Sequence, residues 1–288
     1  MGTKKKMQMK IGFIGAGSLG TILSIALTQK GYAVKAISSR SRSSADRLGK
    51  LMPDCTVFDK PQQVADAVNF VFITTPDDAI SEVVSKISWC KGQTVIHCSG
   101  AYSRNALSSA ESQGANTGTL HPMQTFIDTK SGLNNLEGTF FGIEGDETLL
   151  ETLQTLARDM GGTPVTLKAK DKALYHASGL MACGFVLALL KEATSLWETL
   201  GLNTEQATQA LLPMALSTVK TANEKGFSAA LSGPLARGDI GTIRYHLEGL
   251  HEQAPQALTL YCKLALATLE IAEEKGRAQE PQLQAIEH

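Results

Sequence analysis

What this 288-residue chain lacks first is a charge of one sign. Its 27 Lys and Arg face 28 Asp and Glu, a formal net charge of −1. The whole-molecule field therefore gives neither nucleic acid nor an anionic membrane a reason to bind. Cysteines are few and scattered: Cys55, Cys90, Cys98, Cys183 and Cys262 show no C-x-x-C spacing. That pattern excludes a disulfide framework and a zinc site, so no bound metal is expected, and it fits a reducing cytoplasm. Long apolar runs are missing too. The longest, "GLMACGFVLALL" over residues 179–190, is too short to cross a bilayer and reads as a buried helix. The start "MGTKKKMQMK" is basic without an apolar stretch or a small-residue cleavage site. It reads as a ragged terminus, not a signal peptide. No internal repeat or low-complexity segment occurs. With 43% hydrophobic and 19% charged residues, the chain has the composition of a soluble globular protein, and its length allows two domains.

What is present in the first half is an alternation of β-rich runs and helical patterns. "KIGFIG", "YAVKAIS", "VNFVFIT", "QTVIHCS" and "NTGTLHP" read as strands. Between them residues 18–30, 44–51, 77–87 and 103–113 read as helices, with Gly31 as a cap for the first. "VNFVFIT" is almost wholly apolar, as a strand buried on both faces requires. Such alternation builds parallel β-α-β units with helices on both faces of the sheet. "GTPVTL" reads as the last strand. Beyond it residues 171–200, 204–224 and 256–275 read as helices, the second opened by an Asn203/Gln206 capping box and kinked at Pro213. The boundary between an α/β domain (1–166) and an all-helical one (167–288) is placed near residue 166. From Glu273 onward the tail is polar and expected to fray.

Gly15, Ala16, Gly17, Ser18, Leu19 and Gly20 form a G-x-G-x-x-G loop between the first strand and the first helix. In that context the first glycine allows the tight turn, the second lets backbone approach a pyrophosphate, and the third lets helix and strand pack closely. The helix N-terminus offers free N–H groups to the phosphates. The alternative is a glycine-rich turn with no ligand, which the strand-loop-helix context disfavours. A site for NAD would carry Asp or Glu at the end of the second strand. This chain has "AISSRSRSS" instead. Ser39, Arg40, Ser41 and Arg42 suit a 2′-phosphate, so NADP(H) is the expected cofactor; the alternative is a solvated basic loop. Thr74, Thr75 and Pro76 follow the third strand and are expected along the nicotinamide ribose, a role compatible with a proline turn that opens a helix.

Further polar residues fall at strand ends or on the helix that follows. Ser99 in "HCSGA" is a candidate to bond a substrate carboxylate or hydroxyl. His97, ending an apolar strand, reads as a core or supporting histidine, and Cys98 as packing. His121 in "LHPM" either exchanges a proton with substrate or holds a turn; the residues alone leave both open. Lys172 and His176 lie four apart on one helix face, with Tyr175 and Gly179 nearby. They either polarise a reacting carbonyl or are a solvated lysine and a capped histidine. Arg237, in the loop "SGPLARGDIGT", is a candidate to grip a carboxylate bidentately.

The motifs "IGAGSLG", "HCSGA", "LHPMQTF", "KALYHASG" and "GPLARGD", in that order over residues 14–239, resemble a family of Rossmann-like NADP oxidoreductases with a C-terminal helical domain of unknown function. Pyrroline-5-carboxylate reductases, prephenate dehydrogenases and β-hydroxyacid dehydrogenases are wider relatives. The resemblance implies a Rossmann-type parallel-sheet domain, an all-α domain that dimerises, and a small-molecule substrate. "LHPM" is similar to the segment of prephenate dehydrogenases whose histidine meets the substrate hydroxyl, which favours a catalytic His121. Ser99 resembles the substrate-contacting serine of β-hydroxyacid dehydrogenases. Those enzymes open their helical domain with a lysine and an asparagine one turn apart; here His176 replaces the asparagine, so their mechanism does not transfer.

Two functional readings follow. One is an NADP(H)-dependent oxidoreductase acting on a small, carboxylate-bearing carbonyl, imine or hydroxy compound. In it His121, Lys172 and His176 share acid-base work, while Ser99 and Arg237 help to bind. The other is a non-catalytic NADP(H)-binding sensor or interaction module. Ala182, Gly184 and Ala188, small residues that permit close helix packing, point to a homodimer through the helical domain or, equally well, to one-sided burial of that helix inside the same chain.

Overall fold

The computed structural model describes residues 6, 8–276 and 278. One eight-stranded sheet organises the first unit. Its strands are β1 (Lys10–Ile14), β2 (Ala33–Ser38), β3 (Thr56–Phe58), β4 (Phe70–Ile73), β5 (Thr94–His97), β6 (Asn116–Pro122), β7 (Phe140–Glu144) and β8 (Thr163–Thr166), in the order β3-β2-β1-β4-β5-β6-β7-β8. The strands β1 to β6 pair in parallel. The strand β7 is antiparallel to β6, and β8 returns parallel to β7. The expected parallel sheet is therefore mixed at one edge. The short β3 and the strand β7, "FFGIE", are additions that the sequence pattern did not announce. The strand order reverses between β1 and β4, which opens a crevice at their carboxyl ends.

Period-two alternation sends neighbouring side chains to opposite faces. Phe13, Phe72 and Ile96 join one apolar cluster with Ile22, Leu23 and Leu27 of helix α1 (Ser18–Gln29). Ile14, Val71 and Val95 join the other. The first cluster also takes Ala45 and Leu48 of α2 (Arg42–Leu51), and the second face is covered mainly by α3 (Pro61–Ala67) and α4 (Ile80–Ser85). All four residues of β4 are buried, as its unbroken apolar run predicts. Short α5 (Ser108–Glu111) and α6 (Thr129–Asn134), then α7 (Glu147–Asp159), complete the cover.

The chain divides into compact units at Cys183–Gly184, not near residue 166. Helix α8 (Lys172–Ala182) stays with the sheet because Lys172 and Tyr175 bond to β6 and β7 side chains and backbone. The expected single helix over residues 171–200 is two: the backbone breaks at Cys183 (φ −117°, ψ −70°) and α9 (Gly184–Thr199) begins the second unit.

That unit continues with α10 (Thr204–Lys225), which opens on the expected capping box and runs through Pro213 as one helix. Then come α11 (Phe227–Ala230), α12 (Pro234–Arg237), α13 (Ile240–Gln253) and α14 (Pro255–Lys275). Helix α14 stays regular to Lys275 and ends on left-handed Gly276, past the point where fraying was expected. The rest of the tail, Ala278 apart, lies outside the described residues, as does most of the basic start. The second unit buries little: apart from Ile243 and Leu269, its buried apolar residues among those described are alanines.

The stretch Ala169–Thr199 is long and apolar enough, by length and composition, to cross a membrane. Its centre is not the buried helix expected: Leu187 is 68% exposed, and Met181 and Phe185 are exposed with it. The Cys183 break and the buried Lys172 interrupt it.

Candidate functional site

The crevice at the ends of β1, β2 and β4 is a cavity of about 530 Å³. Gly15 turns the chain there with φ +117°, and a Cβ on it would lie 2.5 Å from the Thr74 carbonyl oxygen. The turn is tied by the Gly15 N–H donating to Ser38 O (2.8 Å) and the Thr74 hydroxyl donating to Gly15 O (2.8 Å). A Cβ on Gly20 would meet Gly15 O at 2.4 Å, so the start of α1 packs directly on the loop. Gly17 differs: nothing lies within 4 Å of its missing Cβ. It opens into the cavity. Among the described residues the buried hydroxyls of Ser38 and Thr75 have no hydrogen-bond partner, and both residues line the cavity. Such orphaned donors are rare unless a ligand or water completes them.

Ala16, Ser39, Arg40, Ser41 and Pro76 also line the cavity, whereas Ser18, Leu19 and Gly20 do not. Ser41 caps α2 by accepting from Ser44 N–H (3.3 Å). Arg42 departs from its expected role: it does not line the cavity itself, and its guanidinium bonds Asp46 (2.9 Å) and Asp59, the latter a lining residue. Arg40 remains as the cation at this end. An open glycine, unpaired hydroxyls and a Ser-Arg-Ser segment before a helix start fit the phosphates and ribose of a dinucleotide.

A second polar group sits further along the same sheet edge. His97 is fully buried at the end of β5. Its Nδ1 accepts from Ser99 N–H (3.1 Å) and its Nε2 faces Ser103 O (2.9 Å). Burial pulls its pKa down to about 4, consistent with the supporting role read from sequence. Cys98 is buried and its thiol pKa is pushed up by that burial. Ser99 is 4% exposed. Its hydroxyl donates to Asp77 (2.6 Å) and accepts from the N–H groups of Ala101 and Tyr102, so it builds a turn and keeps nothing for substrate. Lys172 is likewise drawn inward, 1% exposed, donating to Thr119 (2.8 Å) with Glu144 at 3.8 Å. Burial lowers its pKa to about 8, against the pull of Glu144.

His121 is brought together with His176, their rings edge to face at 5.9 Å. Both reach a 320 Å³ cavity with Met123, Gly179 and Cys183. Gly100 permits this approach: a Cβ there would strike His176 at 2.7 Å and His121 at 2.8 Å. Burial, then the neighbouring His176 and Lys172, brings the His121 pKa down to about 4, so the ring is neutral at pH 7. Arg237 lies in the second unit at the end of α12, with Asp239 at 3.9 Å. Sequence reasoning missed Asp77, Thr119, Glu144 and Gly100. Asp77 follows the "TTP" segment and Gly100 follows Ser99, so proximity marked them, but nothing local marks Glu144, which β7 supplies from the far side of β6.

Comparison with known proteins agrees with this architecture. The Rossmann-like domain family matches residues 2–122, and the domain of unknown function DUF2520 matches residues 139–268. No curated protein matches the chain. Among solved structures, a candidate NADP oxidoreductase from Bacteroides fragilis superposes with TM-score 0.73 at 23% identity, covering 91% of this chain and 98% of that one. A reductive aminase from Aspergillus terreus in complex with NADPH and ethyl levulinate gives 0.65 at 16%, covering 97% and 99%. A pyrroline-5-carboxylate reductase from Coxiella burnetii gives 0.56 at 17%, covering 93% and 98%. At these identities the likeness is one of fold. The chain is thus built from a Rossmann-like domain followed by a DUF2520 domain.

Proposed function

We propose that this protein is an NADP(H)-dependent oxidoreductase acting on a small carbonyl, imine or hydroxy compound. The observation that carries the reading is the cavity at the β1/β4 switch point, with open Gly17, the orphaned Ser38 and Thr75 hydroxyls, and Arg40 between two serines. The solved reductive aminase and pyrroline-5-carboxylate reductase, whose folds are similar, support the reaction class. A bound nicotinamide would supply or accept the hydride. The chain's own residues do the rest. Backbone N–H groups at Gly17 and the start of α1 bind pyrophosphate. Ser39, Arg40 and Ser41 read the 2′-phosphate, without Arg42. His121, neutral and facing a cavity, exchanges the proton that accompanies hydride transfer, and His176 orients the same substrate group. Lys172 and Ser99 act as positioning residues: the first pins α8 to the sheet, the second shapes the turn that admits both imidazoles. Of the groups considered for a substrate carboxylate, only Arg237 keeps an exposed charge.

The helical unit is the proposed homodimer surface. Phe185, Leu187, Met214, Leu216 and Val219 are exposed on α9 and α10, and clustered exposed apolar side chains mark a surface for a partner. Light scattering is expected to give twice the 30.7 kDa chain mass; a single-chain mass refutes the dimer. The activity is tested by following NADPH absorbance against a panel of cyclic imines, ketones and 2-oxo acids. His121→Ala is expected to slow any turnover found by roughly 100-fold or more; undiminished turnover removes His121 from its role.

A further inference from the structure

We infer that Tyr175 is a positioning residue that holds His121 in the Nδ1–H tautomer, so that Nε2 presents a lone pair to its cavity and selects a substrate group that brings its own hydrogen. The Tyr175 hydroxyl is wedged into the β6–β7 ladder at the His121–Gly142 pair. It lies 3.1 Å from His121 Nδ1, 3.2 Å from His121 O and 3.2 Å from Gly142 N. A hydroxyl has one proton to donate and two lone pairs to accept with. The Gly142 N–H uses one lone pair. The carbonyl of His121 has no hydrogen to offer, so it must receive the phenol proton. The contact with Nδ1 is then attractive only if Nδ1 carries a hydrogen and donates to the second lone pair. The opposite tautomer would set the Nδ1 lone pair against the hydroxyl oxygen, or would draw the phenol proton away from His121 O.

Room for this wedge comes from Gly142, where a Cβ would lie 2.8 Å from the tyrosine ring carbon that bears the hydroxyl. The phenol stays protonated, its pKa pushed up to about 12 by burial. The ring of His121 is neutral at pH 7, so one nitrogen carries the hydrogen and the other does not. Nearby His97 is fixed the other way: Ser99 N–H donates to its Nδ1, which leaves Nε2–H to donate to Ser103 O. Two neutral histidines at one sheet edge are thus locked in opposite tautomers by different partners. Among the described residues His121 Nε2 has no hydrogen-bond partner. A hydroxyl, an amine or a protonated imine matches that acceptor; a bare ketone oxygen meets lone pair with lone pair.

This use of the lone pair rests on the oxidoreductase reading, but the tautomer does not. It is read by ¹⁵N–¹H correlation spectroscopy of the imidazoles in the full chain at pH 7, with His121→Gln assigning the signal and no cofactor or substrate added. In the wild type His121 is expected as Nδ1–H and His97 as Nε2–H. Tyr175→Phe is expected to release His121 towards Nε2–H while His97 stays as it was. An Nε2–H His121 in the wild type overturns the inference, as does a Tyr175→Phe protein that keeps Nδ1–H. If Tyr175→Phe does not fold, the wild-type tautomer alone decides. Failure to bind NADPH would defeat the functional reading and leave this result standing.

Discussion

Substituting Gly17 by alanine adds one methyl group where the cavity at the β1/β4 switch point is open. The backbone there, φ −74° and ψ −175°, suits alanine as well as glycine, and apart from the adjoining residues no protein atom lies within 4 Å of the new carbon. Gly17 caps α1 without a side-chain bond. Alanine is the poorer cap, but it also loses less backbone entropy on folding. The two effects oppose each other, and the net change in stability is expected within about 1 kcal/mol, or about 4 °C in melting temperature. Binding is another matter. The methyl group occupies the space a pyrophosphate oxygen needs to reach the loop N–H groups, and one charge-assisted hydrogen bond lost costs about 1.5–3 kcal/mol, roughly 10- to 150-fold in affinity. Thermal unfolding and calorimetric titration with NADPH, on wild type and variant, measure both. A variant that melts normally and binds NADPH as tightly as the wild type refutes the placement of phosphate at Gly17. Gly15→Ala is no substitute for this test, because its left-handed φ and its 2.5 Å contact with Thr74 O disturb the loop itself.

Acid sensitivity follows from the buried histidines. His97 and His121 both fall from an ordinary 6.5 to about 4 on folding, so between those values the unfolded chain binds protons the native one refuses. The stability is whole above about pH 6.5 and declines as pH drops towards 4, by up to about 3 kcal/mol per histidine; denaturant titrations at pH 7 and pH 4.5 that give equal stability contradict this. Lys172 predicts a rise on the alkaline side: its pKa of about 8 in the fold against 10.5 when unfolded makes stability increase from about pH 8 to 10, and Lys172→Met abolishes that rise. Lys172→Ala, which also leaves Glu144 without its cation, is expected to cost about 3–5 kcal/mol in chemical denaturation; a loss below about 1 kcal/mol shows the pair to be incidental.

The sheet, the glycine loop and the capping box of α10 were legible because each is written in local pattern. Alternation gave β1, β4 and β5, and the run of "VNFVFIT" gave the burial of β4. The strand β7 was not legible. Its "FFGIE" is short, and its antiparallel pairing with β6 is a tertiary fact. The site was legible in part. Glycine spacing and the missing acidic residue marked the cavity, and His121 with His176 were read from motif and helix spacing. Spacing could not say which polar groups turn inward. Lys172 and His176 share a helix face, yet Lys172 is buried against Thr119 and Glu144 while His176 stays exposed. Ser99 and Arg42 carried the right chemistry for a ligand, but Asp77 occupies the first and Asp46 and Asp59 occupy the second. Those partners come from turns that follow other strands or from the next helical turn, and only folding selects them.

The central claim is that the cavity at the β1/β4 switch point binds NADP(H) and prefers it to NAD(H) through Arg40. Calorimetric titration of the full chain with NADPH and with NADH tests it most directly, with Arg40→Asp alongside. Saturable NADPH binding is expected, tighter than NADH by roughly tenfold or more, with the preference lost in the variant. No binding of either dinucleotide, or a preference for NADH, would contradict it.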